Sequence, residues 1–155
     1  MLENSMTIFL GADHGGFIIK EQIKTWLTGQ GYQVQDVGAD KLDESDSYPQ
    51  YALAVATQVA QNPGSLGILT CHSGGGMVIA ANKVKGIRAV AVEDEKSVIH
   101  AREHNNANVI SLSGDWIDQN LIEPIITKFL TTPFDLTSRH QNRLNQITNY
   151  ENESK

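Results

Sequence analysis

A single cysteine, Cys71, stands among the 155 residues. That excludes an internal disulfide and any metal site built on paired cysteines. No apolar run approaches the roughly 18 residues that a membrane-spanning helix requires. The segment Met1 to Met6 has no basic flank followed by an apolar stretch, so no signal peptide is predicted. Positive charge is the minority: 12 Lys and Arg against 18 Asp and Glu leave a formal net charge of -6. Such a balance argues against nucleic acid or an anionic membrane as the main partner, because those select a basic face. It leaves room for a small anionic substrate held by a few converging arginines. With 40% apolar residues the chain is expected to form one cytoplasmic domain with a single core, spanning residues 1–155.

Short β-rich runs alternate with helical patterns five times. Strands are expected at Thr7–Leu10, Tyr32–Val37, Leu66–Thr70, Ile87–Val92 and Asn108–Leu112. Between them come helical patterns over Gly15–Gly29, Pro49–Val59, Met77–Lys83 and Glu93–His104, then Asp118–Leu130 after the last strand. The acidic stretch from Asp40 to Ser47 has no apolar period and reads as a surface loop. This alternation predicts an α/β fold, a doubly wound five-stranded parallel sheet in a Rossmann-like three-layer sandwich. Ligands in that architecture bind beyond the carboxyl ends of the strands. A last helix is predicted over 135–151, with Leu144 and Ile147 as its few apolar anchors. So polar a helix is expected to reach onto a partner subunit rather than into its own core.

Four stretches carry chemistry. Gly11-Ala-Asp-His-Gly-Gly16 sets Asp13 and His14 at a strand end, where they either form an acid/base pair above anion-binding amides or simply cap the helix. Cys71-His-Ser-Gly-Gly-Gly76 is the most informative stretch. Its glycines let backbone N–H groups converge into an oxyanion hole, and a cysteine there is a candidate nucleophile or base, or else an inert member of a tight turn. A cysteine-phosphatase loop would need arginine where Met77 stands. A hydrolase elbow would need glycine at Cys71, and a dinucleotide fingerprint would need it at Ile79. His104 and Asn105 close the fourth helix, a placement read as the same rim as Cys71. Arg139 and Arg143, four residues apart, share one helix face and suit a phosphate clamp as well as a solvated basic patch.

In this order the motifs resemble the ribose-5-phosphate isomerase B family, which includes galactose-6-phosphate isomerase subunits. The matching residues are Gly11-Ala-Asp-His-Gly15, Tyr48-Pro49, Gly67-Ile-Leu-Thr-Cys-His-Ser-Gly-Gly-Gly76, Ile79-Ala-Ala-Asn-Lys83, Gly86-Ile-Arg88, Ala101-Arg-Glu-His-Asn-Asn106 and Arg139-His140. The resemblance implies an aldose–ketose isomerase acting on ribose 5-phosphate in the pentose phosphate pathway, without metal or nucleotide cofactor, as a homodimer or tetramer. It implies Cys71 as the base, Ser73 as its assistant, and the His72 to Gly76 amides (those of Gly74 and Gly75 included) with Asn105 around the enediolate. Asp13 and His104 would open the sugar ring; His14, Arg139 and Arg143 would hold the phosphate, with Tyr48 and His140 also lining the substrate.

Three departures stand out. Asp115 occupies a place where the family carries arginine, and facing the site it would repel a phosphate. His72 replaces a common glycine, and Ser47 replaces an aspartate that here sits one place earlier, at Asp46. Asp115 keeps two alternatives open: a catalytically weak sensor of sugar phosphates or nucleotides, and an isomerase for a hexose 6-phosphate.

Overall fold

Alternation within the first strand decides the layering: Ile8 and Leu10 turn to one face of the sheet and Phe9 to the other. The computed structural model describes residues 6–153. Its strands are β1 (Thr7–Ala12), β2 (Gln33–Asp36), β3 (Leu66–Cys71), β4 (Ala89–Ala91) and β5 (Val109–Ser113). They pair in parallel in the order β2-β1-β3-β5-β4. β3 and β5 are buried along their whole length, as central parallel strands covered on both faces must be.

Helices α1 (Phe17–Gly29), α4 (Glu95–Asn105) and α5 (Ile122–Thr131) cover one face. There Ile19, Ile23, Leu27, Val98 and Phe129 pack on Leu10, Ile68 and Ile110. Helices α2 (Tyr48–Gln61) and α3 (Gly75–Ala81) cover the other, where Val55, Val59 and Met77 meet Phe9 and Leu69. The predicted doubly wound sandwich is the observed fold. No helix among the described residues is long and apolar enough to cross a membrane.

Several element ends differ from expectation, and the two largest changes involve the last helices. The predicted Asp118–Leu130 helix divides into a 3-10 turn, Gln119–Leu121, and α5. The last helix, α6, runs Ser138–Glu153 rather than 135–151. The Asp135 carboxylate accepts the Thr137 N–H at 3.1 Å, and the Asp135 N–H donates to Glu103 O at 3.0 Å. Such an Asx turn competes with helix and holds residues 135–137 outside it.

Candidate active site

The carboxyl ends of β1, β3 and β5 meet through glycines. Gly114 N donates to Cys71 O at 2.6 Å, and a Cβ on Gly114 would lie 2.1 Å from Gly15 O. Only a residue without a side chain lets the three loops touch here. Gly74 takes φ +81, the left-handed region open to glycine, and its N–H turns back to Cys71 Sγ at 3.1 Å. The sulfur is buried at the strand end with a donor aimed at it. Gly75 and Gly76 then open α3, and their N–H groups belong to the first turn, which has no partners inside the helix. Gly75 N donates to Ser73 Oγ at 3.3 Å. The ring of Tyr48, first residue of α2, lies over Gly76, where a Cβ would stand 2.7 Å from it.

Asp13 is buried and accepts the Gly15 N–H at 3.0 Å, so the capping role is real. Beside it, His14 meets a residue that sequence reasoning left out of the site. Asp46 Oδ1 accepts the His14 N–H at 3.1 Å and lies 2.7 Å from Nδ1. That hydrogen bond holds the imidazole above its ordinary pKa. The charge of Asp46 also helps to raise the pKa of Tyr51, behind the loss of hydration that its hydroxyl suffers. The displaced Asp46-Ser47-Tyr48 order was the signal available in the sequence.

His72 repeats the arrangement. Its Nδ1 lies 2.7 Å from Asp115 Oδ1, and its ring meets the His14 ring edge-on at a centroid distance of 5.1 Å. Two imidazoles, each tethered through Nδ1 by a carboxylate, therefore stand side by side over the Cys71 loop. Asp115 is thus turned to His72. Asp13, His14 and Asp46 are the one group among the described residues with donor atoms close enough to share a metal ion. His14 Nδ1 and Asp46 Oδ1 are engaged with each other and Asp13 Oδ1 with the Gly15 N–H, while Asp46 Oδ2 is buried without a hydrogen-bond partner among the described residues.

His104 is not on the rim of Cys71. The helix α4 runs antiparallel to the strands, so its last turn returns to the end where strands begin. Arg88 N donates to Asn108 Oδ1 at 2.8 Å and Arg88 Nε donates to Asn106 O at 2.8 Å, joining the starts of β4 and β5 to the end of α4. A strand of five or six residues, about 17–20 Å, separates His104 from Cys71. There His104 stacks on His140 of α6 at 4.3 Å and lies 4.0 Å from His100. Asn105 is exposed beside it, and so are Arg139 and Arg143, one turn apart on α6. The predicted site residues thus form two groups at opposite ends of one sheet.

The model of the family described as Ribose/Galactose Isomerase matches residues 8–147. The chain belongs to this family. It is 39% identical over 148 residues to ribose-5-phosphate isomerase B of Mycobacterium tuberculosis strain H37Rv, covering 96% of this chain and 91% of the relative. It is 40% identical over 151 residues to the probable ribose-5-phosphate isomerase B of Mycoplasma genitalium, covering 97% and 99%. The structure of the Mycoplasma genitalium enzyme with bound ribulose 5-phosphate superimposes with a TM-score of 0.93 at 40% identity, over 97% of this chain and 99% of that one. The Clostridium thermocellum enzyme gives 0.92 at 36% identity, over 97% and 100%.

Proposed function

We propose that the protein is a cytoplasmic isomerase that interconverts ribose 5-phosphate and ribulose 5-phosphate through an enediolate, in the non-oxidative pentose phosphate pathway. The observation that carries the reading is the buried Cys71 sulfur under the Gly74–Gly76 turn. A proton α to a carbonyl leaves only when a positioned base takes it and donors receive the charge growing on oxygen. Cys71 is the base that moves the proton between C2 and C1. Ser73 assists that transfer, and the backbone N–H groups from His72 to Gly76, with Asn105, hold the oxyanion. Asp13 and His104 open the furanose ring. His14, Arg139 and Arg143 hold the phosphate, while Tyr48 and His140 shape the pocket. His72, steered by Asp115 as His14 is by Asp46, adds a second imidazole on the phosphate side. Asp115, which kept the sensor and hexose readings open, is bonded to His72 at 2.7 Å.

A site that needs both Cys71 and His104 closes only when a second copy brings its His104, Asn105, Arg139 and Arg143 to the Cys71 loop of the first. The functional unit is therefore a homodimer with two shared sites. Leu53 on α2 and Ile79 on α3 favour it, because both leave large apolar side chains in solvent on the sheet face that bears the glycine turn.

The reading is tested by following ketose formation from ribose 5-phosphate in the presence of chelator, with galactose 6-phosphate in parallel. Turnover of the pentose at least about tenfold better than the hexose is expected. A preference for the hexose, or no turnover of either, would overturn it.

A further inference from the structure

Two arginines at the end of the sheet where strands begin have no role in the isomerase site. Arg88 precedes β4, Arg102 lies in the last turns of α4, and both are half-buried. The hydrogen bonds their side chains make among the described residues all go to neutral acceptors. Arg88 donates from Nε to Asn106 O and, at 3.3 Å, from Nη1 to Gly86 O. Arg102 donates from Nε to Thr132 O at 3.2 Å, and from Nη1 to Ala107 O at 2.6 Å and Asn106 Oδ1 at 3.3 Å. Neither has a carboxylate within ion-pair distance among the described residues. None of these bonds uses Nη2 of either guanidinium, which offers two more N–H donors each.

Lost hydration pulls both arginines below their ordinary pKa, and the charge of Arg88 lowers Arg102 further. Two like charges therefore stand close together in a partly dehydrated place, an arrangement that costs free energy until an anion joins it. Glu151 is the acidic group whose field reaches Arg88, and one of its oxygens already accepts the Gly86 N–H at 3.1 Å. Both arginines line a cavity of about 420 Å³ with Lys85, Ser65 and Asn108, and none of the described residues lining it is acidic. In a chain of net charge -6 this cavity gathers three basic side chains, Lys85, Arg88 and Arg102. The volume exceeds that of a bare oxyanion and falls in the range of small-molecule sites, roughly 300–1,000 Å³.

We propose that this cavity is a second anion site, which seats the phosphate of a small phosphorylated metabolite between Arg88 and Arg102 with Lys85 at its mouth. It shares no residue with the Cys71 loop and stands whether or not the isomerase reading does.

The test is a titration of the full ¹⁵N-labelled chain with inorganic phosphate, chloride being adjusted to hold ionic strength constant. Amides of Gly64, Ser65 and Gly86 should shift saturably, with a midpoint separate from any shift at Ser73 to Gly76. Lys85→Glu, a change at an exposed side chain, should weaken the first set about tenfold and leave the second alone. Arg102→Gln should abolish the first set. Absence of shifts at Gly64, Ser65 and Gly86 would overturn the proposal. So would shifts with the same midpoint in the wild type and in Lys85→Glu.

Discussion

At the scale of single residues, the account rests on what each side chain is given to bond. Cys71 has one backbone donor aimed at its sulfur and a glycine turn above it. Cys71→Ala should lower kcat by about 10²–10⁴ with little change in KM, read from steady-state kinetics on ribose 5-phosphate. The His14–Asp46 bond makes a pH prediction. A histidine whose folded pKa is raised stabilises the fold fully below its unfolded pKa, near 6.5. That contribution fades as pH rises through the raised value. Asp46→Asn should therefore bring the His14 titration midpoint, followed by NMR, down toward 6.5. A midpoint unchanged by the substitution would mean that Asp46 does not set the charge of His14. Asp13, His14 and Cys71 stand out in the sequence because each lies within three residues of a glycine at the end of an apolar run. Asp46 and the true partner of Asp115 were not. Their histidines lie 32 and 43 positions away, and only closure of the loops brings them together.

At the scale of elements, alternation of short apolar runs with amphipathic stretches was enough to read five parallel strands and the helices that cover them. What the letters did not carry was the direction of α4. A His-Asn pair ahead of a strand looks like a loop on the catalytic rim until the helix is recognised as running back to where strands begin. The Asx turn at Asp135 was equally hidden, since it sets three residues apart from a pattern that reads as helix.

Glycines test the packing of these elements directly. A Cβ on Gly16 would lie 2.3 Å from the backbone carbonyl of Thr70, and backbone cannot step aside. Gly16→Ala should cost about 1–3 kcal/mol or more in urea unfolding. Gly29 closes α1 with ordinary φ and open space around it. Gly29→Ala should instead stabilise by about 0.5–1 kcal/mol. Equal effects at both positions would contradict the close approach of α1's entry to β3.

At the scale of the whole molecule, the proposed site falls into two halves within one chain. The Cys71 loop with Asp13, His14 and His72 lies at one end of the sheet. His104, His140, Arg139 and Arg143 lie at the other. Arg139 and Arg143, exposed on a polar helix, have no carboxylate within ion-pair distance among the described residues. Arg143→Ala should raise KM for ribose 5-phosphate by about tenfold or more while leaving unfolding unchanged, because the side chain is solvated in the single chain.

The most direct measurement mixes two inactive variants, Cys71→Ala and His104→Ala, after unfolding and refolding them together at equal concentration. Each mixed dimer would hold one site with both defects and one with neither. Half of the dimers being mixed, the account predicts recovery of about a quarter of wild-type turnover of ribose 5-phosphate. A mixture no more active than its separate components would contradict it.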